Sequence, residues 1–209
     1  MDDSLLRSCY EGGVTQAARS RLGVDERRKQ LLDLALELFG NRSYDEISID
    51  EIAKEAGISK GLLYHYFPSK RAFFVAAVEA AAERLLESTE VETQGEVPTL
   101  DEMREGVTRY LDYVDRHARN YLLLVRGGDG VDEEVRGIVD RTRLAFLERV
   151  RAAAALLPKS PEVDITLRGY IGYVETVSLE WVEHKRLTRD ALADLIVRQC
   201  IALFSTVQL

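Results

Sequence analysis

Apolar residues recur at three- and four-residue intervals through almost all of this 209-residue chain. Alternating β-branched runs, which a half-buried strand requires, are hard to find. A period near 3.6 gathers apolar side chains onto one face of a helix, so the spacing predicts an all-α protein. Composition permits this, since 46% hydrophobic and 31% charged residues supply both a core and a solvated surface. The length suits one large domain, or a small domain joined to a larger one.

Start and stop signals divide the pattern into about nine helices, with no internal repeat. Residues 1–24 mix Gly, Ser, Arg and small residues without clear period and read as a flexible arm. Asp25 can cap a helix reaching about Phe39, with Leu31, Ala35, Leu36 and Phe39 on its apolar stripe. "GNRSYDE" interrupts it. "SIDE", Ser48 to Glu51, then has the spacing of a capping box, in which the serine hydroxyl and the glutamate satisfy two orphan amides reciprocally. That short helix turns Ile52, Ala53 and Ala56 inward and stops at Gly57, a natural left-handed residue. Ser59 caps the next helix, to about Tyr66, and Ser69 opens a longer one. Thr99 and Glu102 form a second capping box, starting a helix to about Ala118. A short "NYLLLVR" pattern, a "GGDG" connector and helices near 132–156, 163–183 and 188–204 complete the chain.

Helix, glycine-containing turn, helix is the helix-turn-helix arrangement, whose second helix can enter the major groove of DNA. Leu63 and Phe67 share a face by the i, i+4 rule and should pack on Ile52 and Ala53. Lys60, Gly61, Tyr64 and His65 then turn outward, with Leu62 and Tyr66 at the margins. Gly61 lets the backbone approach DNA closely, while the tyrosine hydroxyls, His65 and Lys60 can bond phosphates or base edges. Lys70 adds a cation in the first turn of the following helix, where backbone amides already favour an anion.

The net charge of −8 argues against indiscriminate nucleic-acid binding. Its distribution is uneven. Residues 1–71 hold 11 Lys and Arg against 12 Asp and Glu, so seven of the eight net negative charges fall in the remaining 138 residues. Five basic residues lie within 19–29, and Arg19 and Arg21 can reach a minor groove if the arm is ordered, or remain a solvated tail. Cys9 and Cys200 read as free thiols. No signal-peptide core or membrane-spanning stretch is visible, so a cytoplasmic location without membrane partner is expected. Three histidines and two distant cysteines give no metal-ligand spacing, and no nucleophile elbow or dinucleotide fingerprint occurs. Neither catalysis nor a cofactor is expected.

"SIDEIAKEAGISKGLLYHYFPSKRAFF", preceded by a helix ending "LELFGNRSYDE", resembles the DNA-binding domain of TetR-family transcriptional regulators. The resemblance covers roughly residues 25–74. It implies a DNA-binding domain over 25–70 and a ligand-binding and dimerisation domain over 71–209. It maps Ser48 onto a phosphate contact, and Ser59, Lys60, Gly61, Leu62, Tyr64, His65 and Tyr66 onto the recognition helix and its end. Lys70 maps onto the phosphate clamp of the fourth helix. Two departures stand out. Leu62 replaces a frequent threonine, so any contact there is apolar. Asp50 and Glu51 occupy the phosphate-facing end of the second helix, where Glu51 should be engaged by its capping box.

The resemblance further implies a homodimer and a small-molecule effector without identifying the effector. "TLRGYIGYVETVSLEWVE" carries Leu167, Tyr170, Ile171, Val174 and Trp181 on overlapping faces. Gly169 and Gly172 inside it suggest close approach of another helix. With Leu192, Leu195, Ile196, Gln199 and Leu203 of the last helix, these residues either pack on a two-fold mate or close the intramolecular core. Tyr110, Tyr113, His117, Tyr121, Phe146, Tyr173 and Glu175 are aromatic or polar positions within apolar helices. They are candidates to line a pocket for a largely apolar effector, or else ordinary core and surface. The leading expectation is a repressor released from its operator by that effector. The alternatives are a helical small-molecule-binding protein, or a DNA-binding protein without effector.

Overall fold

The computed structural model describes residues 8–91, 97–127, 132–153 and 158–207. Among them nine α-helices and no strand occur, so the all-α expectation holds. In order these are α1 (Ser8–Asn41), a 3₁₀ turn (Tyr44–Glu46), α2 (Ile49–Glu55), α3 (Lys60–Tyr66), α4 (Lys70–Ser88), α5 (Leu100–Arg116), α6 (Ala118–Gly127), α7 (Glu133–Ala153), α8 (Pro161–His184) and α9 (Arg189–Val207). One expectation is corrected. Helix α1 begins at Ser8, so residues 8–24 are helical and Asp25 stands inside the helix rather than at its cap. A Cβ at Gly23 would meet nothing within 4 Å. The Arg19, Arg21 and Cys9 side chains and the "GGDG" connector beyond Gly127 lie outside the described residues.

The chain divides into two compact units, residues 1–77 and 78–209. In the first, Leu36, Phe39, Ile52, Leu63, Phe67 and Phe73 form the core, each 5% exposed or less. The Phe67 and Phe73 rings meet edge to face at 4.9 Å, and Phe39 meets Phe74 at 5.1 Å. In the second, α5 packs chiefly on α9 and α7 on α8. Leu111, Val114, Ile138, Leu167 and Ile196 fill this interior.

The turn between α2 and α3 is built by local chemistry. The Ser48 hydroxyl accepts the Glu51 amide at 3.2 Å, and Glu51 accepts the Ser48 amide at 3.5 Å, closing the capping box. At the other end Gly57 takes φ +63°. Its amide reaches the Lys54 carbonyl and that of Ile58 reaches the Ala53 carbonyl, both at 3.0 Å. That pair of bonds is a Schellman motif, which needs a left-handed residue at the position of Gly57.

Candidate nucleic-acid interface and internal cavity

Helix α3 starts where the Ser59 hydroxyl accepts the Leu62 amide at 3.2 Å. Leu63 at 0% and Phe67 at 3% exposure anchor one face in the core of the first unit. Burying that face turns Lys60, Gly61, Leu62, Tyr64 and His65 outward, with Tyr66 half-buried. Leu62 and Tyr64 are 40% and 41% exposed, so Leu62 points out more fully than its marginal position suggested. A Cβ on Gly61 would find its nearest neighbour, the Ser59 hydroxyl, at 4.0 Å. The chain's own packing therefore does not demand glycine there. Ser48 is exposed at the start of α2.

Two ion pairs flank this face. Lys60 Nζ lies 2.9 Å from Asp50 Oδ1, and Arg42 pairs with Glu51 while also donating to the Glu46 carbonyl. Arg42 holds the Glu51 carboxyl below its ordinary pKa, and the bond to Asp50 raises that of Lys60. Glu51 thus serves its capping box, as expected, and a guanidinium besides. The capture of Lys60 by Asp50 was not legible: the pair lies ten positions apart, joined only by the turn. Lys70, in the first turn of α4, lies 4.0 Å from the centre of the Tyr44 ring.

The second unit holds a half-open cavity of about 460 Å³ whose walls include Leu85, Val107, Leu124, Val139, Ile171 and Val174. Of the expected residues, Tyr110, Tyr121, Phe146 and Glu175 line it; Tyr113, His117 and Tyr173 do not. Tyr113 is buried with its hydroxyl donating to the Ala81 carbonyl at 3.2 Å, while His117 is exposed. The Tyr110 and Tyr121 hydroxyls lie 2.7 Å apart, and Tyr121 can donate onward to the Glu175 carbonyl at 3.5 Å. Burial pushes Tyr110 up to about 12 and Tyr121 well above its ordinary value, so both phenols stay protonated. Ser178, fully buried, is close enough to lower both phenols somewhat, yet its hydroxyl is not aligned for a hydrogen bond. The Glu175 carboxylate takes a two-pronged bond from Arg143, at 2.8 and 3.0 Å. Arg149 and Cys200, also in the wall, went unseen in the sequence. Arg149 bonds Thr89 at 2.7 Å and the Leu86 carbonyl at 2.9 Å, and burial raises the Cys200 thiol to about 11. Among the described residues no His, Cys, Asp or Glu cluster suits a metal ion, and no helix is long and apolar enough to cross a membrane.

Of the residues expected at a subunit contact, Leu167, Tyr170, Trp181, Leu192 and Ile196 are buried by their own chain. Tyr170 lines the cavity instead, as do Ile171 and Val174. Leu195 and Leu203 are half-buried and Gln199 is exposed. The open face of α8 carries Ile165, 72% exposed, with Gly169 and Gly172, around which a Cβ would meet nothing within 4 Å. On α9 Ile201 is 43% exposed.

A helix-turn-helix unit with an outward second helix, followed by an all-helical unit around an apolar cavity, defines a class of protein. Comparison with known proteins narrows it. Residues 31–77 match the profile of bacterial regulatory proteins of the tetR family, and residues 99–203 match the tetracyclin repressor-like C-terminal domain. The chain belongs to the TetR family. It is similar to a TetR-family transcriptional regulator from Streptomyces coelicolor at 34% identity and TM-score 0.77, over 88% of this chain and 82% of that one. The HTH-type transcriptional activator FasR of Mycolicibacterium smegmatis is 32% identical over 50% of this chain and 48% of its own length. The HTH-type transcriptional regulator AcrR of Shigella flexneri is 31% identical over 52% and 51%. The chain spans about half the length of the curated relatives it matches. The regulator FadR of Bacillus subtilis, solved with stearoyl-CoA, shares the fold at TM-score 0.66 and 15% identity, over 82% of this chain and 96% of that one.

Proposed function

We propose that the chain is a ligand-responsive, sequence-specific DNA-binding regulator, a repressor released from its operator by a small, largely apolar effector. The observation that carries this reading is the outward face of α3. A large aromatic, a histidine, a lysine and a leucine stand exposed around a glycine that internal packing does not require. Lys60, Tyr64 and His65 bond phosphates or base edges, Leu62 meets a thymine methyl, and Ser48, Ser59, Tyr66 and Lys70 hold the backbone. Two copies pair through the open faces of α8 and α9, around Ile165, Gly169, Gly172 and Ile201, where a second chain fits the space beside the glycines. The cavity supports an effector, since about 460 Å³ of mainly apolar wall suits a small molecule.

The test is a mobility-shift titration at fixed salt on DNA selected from a random pool. Lys60→Ala and Tyr64→Ala are expected to lose specific binding and remain dimeric. Unchanged affinity in both would remove α3 from the interface. Activation is a second reading, favoured by the similarity to FasR, whose name makes it an activator; a reporter carrying the selected site separates the two signs.

A further inference from the structure

We infer that Arg28, on α1, is a phosphate contact of the DNA interface, standing at the groove wall reached by the C-terminal end of α3. This rests on the DNA-binding reading above and adds a residue from outside the helix-turn-helix. What selects it is which cations of the first unit keep their charge. Lys60 is paired with Asp50 and Arg42 with Glu51, so neither offers a net charge to a polyanion. Two others sit on aromatic rings instead. Lys70 lies 4.0 Å from the centre of the Tyr44 ring, and the Arg28 guanidinium 5.5 Å from that of Phe67. A ring has no net charge, so a cation held on it remains a full cation. Among the described residues Arg28 has no hydrogen-bond or ion-pair partner, whereas its neighbour Arg27 donates to Gln30 at 3.1 Å. Its planar fork of five N–H donors, the geometry that grips a phosphate in two-pronged fashion, is therefore free.

The position of Arg28 fits the same role. It lies one turn ahead of Leu31, on the stripe of α1 that continues through the buried Ala35 and Phe39. It thus stands where that stripe leaves the core, and there it meets Phe67, the C-terminal cap of α3. Phe67 is buried and Arg28 exposed, so the ring fixes the cation at the rim. The seven residues of α3 rise about 10 Å, less than the roughly 12 Å width of the major groove. Groups at the ends of so short a helix therefore come up against the phosphates of the groove walls. A cation near the last carbonyls of α3 also favours the helix itself. That structural part changes stability; only a phosphate contact changes how affinity depends on salt.

Fluorescence anisotropy on the full chain, with the selected site and with non-specific duplex at roughly 50 to 200 mM salt, tests this. Two neutral variants, Arg28→Gln and Arg28→Leu, should each make the slope of log affinity against log salt shallower by about 0.9. Over that fourfold salt range the parent then loses about 3.5 times more affinity than either variant. Arg28→Lys, which keeps the charge, should restore the parental slope. Lys159→Gln, an exposed charge of the second unit, should leave it unchanged. A parental slope in both neutral variants, whatever their melting temperatures, would overturn the assignment and leave Arg28 a prop for Phe67. So would an equal loss in Arg28→Lys, which would trace to the fold, or in Lys159→Gln, which would trace to overall charge. Absence of salt-dependent affinity in the parent would instead overturn the DNA-binding reading itself.

Discussion

Asp50→Asn should tighten operator binding while lowering stability, two effects of opposite sign from one carboxylate. Lys60 and Asp50 lie 2.9 Å apart with side chains 46% and 72% exposed. Paired in this way they offer no net charge to a phosphate. A lysine that neutralises one phosphate of duplex DNA contributes about 0.9 to the slope of log affinity against log salt. Asparagine at position 50 frees that lysine, so the slope should steepen by about 0.9. Over a fourfold salt range, from roughly 50 to 200 mM, the variant's advantage over the parent then shrinks by a factor of about 3.5.

Stability moves the other way. Asp50 lies in the first turn of α2, where a negative charge complements the helix N-terminus, so its loss lowers the melting temperature slightly. The exposed pair itself adds little. Fluorescence anisotropy at several salt concentrations, beside thermal melts, measures both. Measured on non-specific duplex, where binding does not need the α3 base contacts, adding Lys60→Ala to Asp50→Asn should return the slope to the parental value. An Asp50→Asn slope equal to that of the parent would refute the account, because Lys60 would then not be restrained by Asp50 when DNA binds.

Gly61→Ala should stabilise the protein by up to about 1 kcal/mol, since alanine favours helix, yet weaken operator binding roughly fivefold or more through overpacking. Parental affinity in that variant would show that DNA does not approach the Gly61 backbone. A Cβ at Gly172 would meet nothing of its own chain within 4 Å, so Gly172→Trp should keep the fold, as a far-ultraviolet dichroism melt checks, and shift light-scattering mass from dimer to monomer; a retained dimer would move the interface elsewhere. Alkali should unfold the protein through its buried acids. Tyr110 and Tyr113 are raised from 10 to about 12 and Cys200 from 9 to about 11, so the folded state holds protons that the unfolded state releases. Their stabilisation is complete below pH 9 and lost as pH rises through 11 to 12, by about 3 kcal/mol for Tyr110 alone. Denaturant titrations across this range should show a shallower fall for Tyr110→Phe; an unchanged fall would remove that phenol from the balance.

The outward face of α3 was legible in the sequence because it is set locally. Ser48, Gly57 and Ser59 fix two helix ends within a dozen residues, and Leu63 with Phe67 fixes which side of α3 faces in. The cavity was only half legible, because helical period identifies an apolar face without saying what meets it. Tyr110 and Tyr121 found each other across eleven positions, but Arg149 and Cys200 come from distant helices and resemble a solvated arginine and a core thiol. The same ambiguity left Leu167, Trp181, Leu192 and Ile196 between a subunit contact and the intramolecular core; their own chain buries all four. Gly169 and Gly172 are the α8 positions where the chain leaves room beside the helix.

How an occupant of the cavity can be felt along the chain follows from the spacing of two sets of side chains. Three groups hold the C-terminal half of α4: Tyr113 bonds the Ala81 carbonyl, Arg141 pairs with Glu79, and Arg149 bonds Thr89 and the Leu86 carbonyl. Tyr113 lies three residues from Tyr110 on α5, and Arg149 three residues from Phe146 on α7. Tyr113 therefore anchors α4 one turn along α5 from a lining residue, while Arg149 both lines the cavity and anchors α4. A packed helix transmits a shift of its wall side to its anchoring side, because interiors are too dense to absorb it locally. Only a ligand that binds one arrangement of α5 and α7 more tightly than another can shift the balance between them.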